Sequence, residues 1–573
     1  MKALHLFDTP CIFFEKALHP MTKHPPMNKI LTTLSGICLG ICLLSPRPAT
    51  AQNTAGKNGS SLFSPAMQKL QIAQLAISAL YVDSIDENRL TEEAIKKMLS
   101  TLDPHSTYSP PKEVKKLNEP LEGNFNGIGV QFNMVDDTLL VVETVVDGPS
   151  ERVGILAGDR IVTVNDTSIA GQKLPNDSIL SLLRGPKGTE VHLGILRRGE
   201  AGLIPFTVVR DRIPIYSIDA HYMAAPSVGY IRISRFAATT HEEFLKAVKE
   251  LRKQGMKDLL IDLESNGGGY LQAAVDMANE FLEKEEVIVY TEGRAQSRYD
   301  FFAKGNGQLR KARVVVLVNE YSASASEILA GALQDWDRGV VVGRRSYGKG
   351  LVQRPVMLPD GAMIRLTTAR YYTPAGRCIQ RPYADGDRTK YDADLEERFN
   401  HGEMLHQDSI HFSDSLLYHT QKLHRPVYGG GGIMPDRFVP LDTTWTSPLY
   451  RRLSARGAFI KWALQYTEQH HAALEKEYPS FDLFRKNYQM PDDALEMLRK
   501  LAEDYKIEWK EDEYTAVENT FRTQFKALVA RNLWGINEYS QIINSLNDIY
   551  QAGLSILTDG EYKHILSKPE NKK

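Results

Sequence analysis

Apolar and polar positions alternate along the chain with several distinct textures. An uncharged, mostly apolar run occupies 30–44, and a polar, glycine-containing tether follows over 52–61. Leu70, Ala73, Ile77 and Leu80 then share one face of a predicted helix. Thr91-Glu92-Glu93 predicts the capped, acidic start of a second helix, which Thr101-Leu-Asp-Pro-His-Ser-Thr-Tyr108 breaks. From Gly123 to about Arg212 the pattern shortens to strands separated by glycine turns. It lengthens again into a strand at 228–236, an amphipathic helix at 240–254, a buried strand at 259–263 and a helix at 271–282. The run 314–318 predicts another buried strand, after which Ile328, Leu329, Ala332, Leu333 and Trp336 fall on one helical face. Strands at 339–342, 352–357 and 362–372 follow, and beyond Pro440 the spacing is helical, with Leu498, Leu501 and Tyr505 and then Phe521, Phe525 and Leu528 in register. The fold class is therefore α/β multidomain, with a helical N-terminal region, a β-domain, an α/β core and a helical C-terminal extension.

A chain of 573 residues is too long for one core. The divisions expected are 1–51 (upstream residues and signal peptide), 52–122 (helical), 123–212 (β-domain), 213–440 (core, with an insertion at about 380–427) and 441–573 (helical). Hydrophobic content of 42% and charged content of 24% are ordinary for a globular protein, and a net charge of −2 gives no electrostatic case for nucleic acid. Met27-Asn-Lys29, the apolar run and Ala49-Thr50-Ala51 match the three parts of a signal peptide, which predicts a periplasmic or cell-envelope protein. Cleavage before Gln52 leaves Cys378 as the only thiol, so no internal disulfide is expected. No cofactor or metal is expected: His401, His406, His411, His419 and His424 of the insertion lack ligand spacing, and the segment reads as solvated.

Candidate chemistry concentrates in 314–353. Ser322, Ser324 and Ser326 sit at a strand-to-helix turn, and Lys349 lies in a glycine-flanked loop after the next strand. A serine at a helix N-terminus lies among N–H groups without intrahelical partners, which suits an oxyanion. No histidine occurs between His241 and His401, whereas a desolvated lysine can act as base. The same letters, Ser324-x-x-Glu327, are a capping box, and the pattern alone favours capping. The Gly343-to-Gly350 loop imitates a phosphate loop but lacks its Ser/Thr, and Pro355 opposes the required helix. Ser109-Pro-Pro-Lys112 matches S-x-x-K in letters only, because its prolines forbid the helical turn.

SASASEILAGALQD followed by GKGLVQ resembles the C-terminal processing peptidases, or tail-specific proteases, a serine-protease family with a Ser-Lys dyad. The resemblance spans about 81–436 and implies Ser324 as nucleophile and Lys349, 25 residues on, as base. It further implies that Gln353 orients the lysine by a hydrogen bond and that Asp335 is a supporting acid. The family's glycine loop corresponds to Glu264-Ser-Asn-Gly-Gly-Gly269, implying an oxyanion hole from the N–H of Gly268, or alternatively of Gly269, together with that of Ala325. Glu264 stands for the family's arginine and Gly267 for its proline, which loosens the loop unless packing fixes it. The 101–108 stretch matches a family signature that gives His105 no chemistry. Gly127, Ile128, Gly129 and Val130 resemble a PDZ carboxylate-binding loop, with Gly154 to Asn165 and Arg184 to Thr189 completing the pattern. Successive N–H groups there suit a terminal carboxylate, with an apolar lining expected around Ile128 and Val130.

The expectation is an exported serine endopeptidase with a mixed α/β spiral core, taking protein substrates by their free C-termini. Membrane association and a homodimer through the helical regions are candidate partnerships. A catalytically inactive PDZ scaffold is the first rival, opposed by Ser324, Lys349 and the glycine loop. A Ser-Lys acylase of the penicillin-binding kind is the second, opposed by the missing helical S-x-x-K.

Overall fold

The computed structural model describes residues 64–135, 137–383 and 388–567. The signal-peptide expectation lies outside them. The chain divides into two units, Met1–Thr91 and Glu92–Lys573. In the first, Ser64 caps the helix Pro65–Leu80 by accepting the Met67 N–H. That helix buries no residue and exposes Met67, Leu70, Ile72, Leu75, Ile77 and Leu80, so it is apolar on several sides, not only on the expected face. The next helix begins earlier than expected, at Glu87, because Asp86 accepts the Arg89 N–H; Thr91 lies inside it and turns its hydroxyl back to the Glu87 carbonyl.

The α/β core of the second unit is built on a six-stranded sheet. Its strands run in chain order: Ile218–Ala225, Val228–Ile233, Asp258–Asp262, Val314–Val318, Val340–Gly343 and Arg437–Phe438. All pairs after the first are parallel. Parallel neighbours require crossovers of one hand, and strict sequential order places every crossover helix on the same face. Helices Thr240–Lys253, Leu271–Asn279 and Ala325–Asp335 accordingly share one core with Ile231, Ile261 and Val316. The opposite face, with Tyr230, Leu260, Val315 and Leu317, is covered by Ile549, Tyr550, Ile556 and Leu557 of the C-terminal helix Asp548–Thr558. Covering that face is one job of the C-terminal region that its composition does not reveal.

A second, antiparallel sheet joins Thr107–Ser109, Met363–Tyr372, Val287–Gly293 and Gln296–Phe302, with Leu351–Met357 also paired to Met363–Tyr372. The β-domain has its own apolar core and a sheet whose edge strand, Val130–Val135, pairs only with Thr138–Thr144 among the described residues. A two-stranded ribbon, Asn124–Gly127 with Asp211–Pro214, brings its two ends together. Leu464 of the C-terminal helix Ala458–Glu477 packs with Val135 and Leu140 of this domain, and Arg160 pairs with Glu468 at 3.4 Å. Among the described residues no helix is long and apolar enough to cross a membrane.

Candidate active site

Ser324 precedes the helix Ala325–Asp335 with φ 55° and ψ −112°, a conformation that L-residues adopt only when their surroundings enforce it. Ser322 and Ser326 are fully buried and committed: Ser322 Oγ donates to the Leu263 carbonyl at 2.8 Å and accepts the Asn319 N–H, and Ser326 Oγ donates to the Asn266 carbonyl at 2.9 Å. Ser324 alone of the three remains partly exposed. The Ala325 N–H, first in its helix, has no intrahelical acceptor.

The glycine loop is fixed by a neighbouring side chain. Asn266, fully buried, donates Nδ2 to the Ile233 carbonyl and accepts the Ala323 N–H on its own carbonyl. Its Oδ1 accepts the Gly268 N–H at 2.8 Å, so the N–H expected to face an oxyanion is already engaged. Gly268 nevertheless lies against the serine: a Cβ there would stand 2.7 Å from Ser324 Cβ. On Gly269 (φ +150°) it would collide with the Phe236 carbonyl at 2.0 Å, so only glycine fits. The extra glycine, Gly267, therefore does not loosen the loop. Glu264, which replaces the family's arginine, accepts from Asn547 Nδ2 of the C-terminal region at 2.8 Å; burial and the adjacent Asp262 push its carboxyl up to about 7.

Lys349 lies where burial lowers its ammonium pKa; Arg365 adds like-charge repulsion, opposed by the carboxylates of Glu327 and Asp103. No hydrogen bond joins Lys349 Nζ to Ser324 or to Gln353 among the described residues. The expected Gln353–Lys349 bond is thus unmade: the strand register shifts between Val352 and Gln353, which re-aims the side chain, and Gln353 Nε2 is buried without a partner. Asp335 forms a fully buried ion pair with Arg377 and accepts the Ala375 N–H, so it supports the turn after Met363–Tyr372 and does not reach Ser324 or Lys349.

Glu327 joins the two loops. Its Oε2 accepts the N–H of Ser324 at 2.7 Å and the N–H of Lys349 at 2.9 Å. Its Oε1 accepts the Ser346 hydroxyl and the Gly348 N–H. Burial raises its pKa and these four donors oppose the rise. The Tyr371 hydroxyl, buried beneath, has one proton and two carbonyls to give it to, those of Ser324 and Lys349. The capping-box pattern located Glu327 but not this bridging role, because its partners at 346–349 are distant in sequence. His105, to which the family signature gives no chemistry, nevertheless lies close to the site. Burial and the neighbouring Lys349 push its pKa down to about 4, and its Nε2 meets the Tyr391 hydroxyl at 2.8 Å.

In the β-domain, Gly127 ends the ribbon opposite Asp211, Gly129 takes φ +75° and Val130 opens the edge strand. The loop is held by Ser150 N–H donating to the Ile128 carbonyl and Val145 N–H to that of Gly129. Ile128 turns its side chain into the domain core at 3% exposure, so it contributes main chain and not the expected apolar lining.

The profile of Peptidase family S41 matches residues 227–389, that of the PDZ domain 126–207, and that of the activating protease CtpB N-terminal domain 45–112. A family of unknown function matches 449–535. The chain is 36% identical over 351 residues to carboxy-terminal processing protease CtpB of Bacillus subtilis, covering 61% of this chain and 72% of that protein. It is 34% identical over 359 residues to a carboxy-terminal-processing protease of Bartonella bacilliformis, covering 62% and 80%. A carboxyl-terminal-processing protease of Synechocystis is 38% identical over 297 residues, covering 51% and 69%. With a relative of that identity matched over most of its length, the chain belongs to the carboxy-terminal processing proteases of peptidase family S41, serine-type endopeptidases, and carries their PDZ domain.

Proposed function

We propose that Ser324 attacks the scissile carbonyl and that Lys349 is its general base. The observation that carries this reading is the shared carboxylate: Glu327 Oε2 holds the main chain of both residues, beside a glycine that lets the loop touch Ser324. In the neutral form that desolvation favours, Lys349 takes the Ser324 proton as the new C–O bond forms, then gives it to the departing amine. A water molecule repeats the sequence on the acyl-enzyme. The Ala325 N–H and, with Gly268 engaged elsewhere, the Gly269 N–H receive the oxyanion. Gln353 holds Lys349 once the side chain turns to Ser324, its amide oxygen accepting from the amine so that the nitrogen lone pair stays free for the serine proton; catalytic hydrogen bonds commonly tighten only in the substrate complex. Asp335 acts at a distance through Arg377.

Substrates enter by their C-termini at the loop Gly127 to Val130, adding a strand to the open edge Val130–Val135. The protein is exported to the periplasm or cell envelope by the signal at about 27–51. A second copy covers the exposed apolar side of Pro65–Leu80. The division at 123, 213 and 441 completes the reading.

Labelling with a fluorophosphonate tests the nucleophile: wild type is labelled and Ser324→Ala is not. Two peptides differing only in a free or amidated C-terminus test tail capture. A charge-assisted bond to the carboxylate contributes roughly 1.5–3 kcal/mol, so amidation slows cleavage about tenfold or more. Equal rates for the two peptides would remove tail recognition while leaving the dyad standing.

A further inference from the structure

The insertion reads in sequence as a solvated excursion, yet it holds the loop of Lys349. Buried main-chain groups need partners, so those of 345–350 can be followed one by one. From the core, Glu327 takes the N–H groups of Gly348 and Lys349, Tyr371 donates to the Lys349 carbonyl and donates its own N–H to the Gly350 carbonyl, and the Tyr347 N–H goes to Ser322. The Ser346 N–H goes to the Ile433 carbonyl at 3.1 Å, beyond the insertion, and the other bonds come from the segment after Ile379. Arg398, 4% exposed, forks onto two carbonyls, Nη2 to that of Arg345 at 2.7 Å and Nη1 to that of Ser346 at 3.1 Å. The Arg381 N–H donates to the Gly348 carbonyl at 3.0 Å, and Gln380 Oε1 accepts the Gly350 N–H at 2.8 Å.

These donors are themselves locked. Glu403 pairs with both Arg398 and Arg345. The Arg381 guanidinium lies 4.1 Å from the Tyr347 ring centroid and 3.9 Å from that of Tyr391, and pairs with Asp394 at 2.7 Å. The Tyr391 hydroxyl is shared between Gln380 Nε2 and His105 Nε2, so one oxygen ties the inserted helix Arg388–Asn400 both to the base loop and to the turn before Thr107–Ser109. A guanidinium gives up hydration to be buried, and here its return is two carbonyls of one loop.

We propose that Arg398 and Tyr391 are positioning residues for Lys349, and that the insertion is a working part of the active site. The proposal rests on the reading of Lys349 as base. Neither residue touches substrate or Ser324. They keep the loop closed over the lysine stem, so that the amine stays dry and within reach of the serine. The groups facing Lys349 are Glu327 from the nucleophile helix, Arg365 from Met363–Tyr372, and Asp103 and His105 from the turn before Thr107–Ser109. A loosened loop lets water reach the amine and returns its titration towards that of an ordinary lysine.

The test uses the full chain as wild type, Lys349→Ala, Arg398→Lys, Tyr391→Phe and Glu397→Ala, the last on the exposed side of the same helix. Arg398→Lys keeps the charge but cannot fork onto two carbonyls, and Tyr391→Phe removes one oxygen. Both are expected to lose about tenfold or more in kcat at neutral pH with KM changed less than about twofold. Both should move the acid limb of the kcat profile to higher pH by about half a unit or more and recover activity in alkali. Glu397→Ala should match wild type. Wild-type kcat and an unmoved limb in both variants overturn the proposal, as does a loss equal at every pH, which marks a merely structural role. If Arg398→Lys fails to melt cooperatively, Tyr391→Phe decides alone. Wild-type activity in Lys349→Ala would instead sink the reading of the base.

Discussion

The turn that carries Ser324 and the loop that carries Lys349 meet at one carboxylate but are held in opposite ways. Ser324 itself is held mostly from within its turn, its N–H reaching Glu327 three residues away and its carbonyl accepting the N–H groups of Glu327 and Ile328, while Ser322, Ala323 and Ser326 anchor the turn to Leu263 and Asn266. The lysine loop has little of its own. The partners of Ser346, Gly348, Lys349 and Gly350 lie from 19 to 87 residues distant, on the helix Ala325–Asp335, the inserted segment and the Gly432-Ile433 turn. A nucleophile needs one enforced conformation, which a capped helix start supplies locally. A lysine base needs dryness, and dryness takes several layers of chain.

The largest effect expected on the serine side is that of Ser324→Ala. Removing the nucleophile should lower cleavage by about four orders of magnitude or more. Ser322→Ala and Ser326→Ala should keep activity within about tenfold while each loses about 1–2 kcal/mol of stability, because their hydroxyls satisfy buried carbonyls. Peptide kinetics with urea melts separates the two outcomes, and an inactive but stable Ser322→Ala would move the nucleophile. On the lysine side, Lys349→Arg should be as inactive as Lys349→Ala, since arginine stays protonated. The wild-type rate should rise with pH through a folded pKa that lies below the ordinary lysine value, because only the neutral amine accepts a proton and burial favours that form. A rate flat from acid to strong alkali, with chemistry limiting, would break the contrast at its root.

The same contrast governs what the amino-acid pattern reveals. The strand Val314–Val318, the helix Ala325–Asp335 and the serine between them announce themselves by apolar spacing and a capping signature, all within one local stretch. Lys349 is legible by its offset from Ser324. Its supports are not: Arg398 and Tyr391 lie in a charged segment whose composition reads as solvated, and only the fold buries them. The roles expected of Gln353 and Gly268 rest on family resemblance alone, and a strand bulge and the Asn266 side chain redirect both residues. Ile128 shows the opposite limit, a site residue by motif that spends its side chain on the core. The C-terminal region is legible as helical, but not as the cover of a bare sheet face, since that need follows from strand order.

Glu327→Gln tests the junction itself. The carboxylate accepts four donors, two on each oxygen, and an amide offers one acceptor where two are needed while presenting hydrogens to the other pair. Charge-assisted bonds of this kind contribute roughly 1.5–3 kcal/mol each, with strong coupling among them, so a loss of about 2–4 kcal/mol in stability is expected. Activity should fall about a hundredfold, because both loops shift together, and in contrast to Lys349→Arg some cleavage should remain. Wild-type melting and wild-type kcat in this variant would show that the two loops are positioned independently.

The smallest effect belongs to His105, on the lysine side, and it sharpens the comparison because the serine turn has no titrating group of its own other than Glu327. In the folded protein the imidazole has its pKa pushed down to about 4 by burial and by Lys349, against 6.5 for an unperturbed histidine. Between those values the unfolded chain binds a proton that the folded chain refuses, so stability rises with pH across this window. The contribution is fully present above about pH 6.5 and is lost progressively as the pH falls through about 4. The ring is partly open to solvent, which keeps the loss below what the full shift implies. His105→Gln carries no proton in this range and still offers an amide to Tyr391. Its urea midpoint should therefore decline less than that of wild type between pH 7 and pH 4.5, with the other carboxylates contributing equally to both curves. Parallel curves would mean that His105 titrates as an ordinary surface histidine, and that the wall of the lysine pocket on that side is wet.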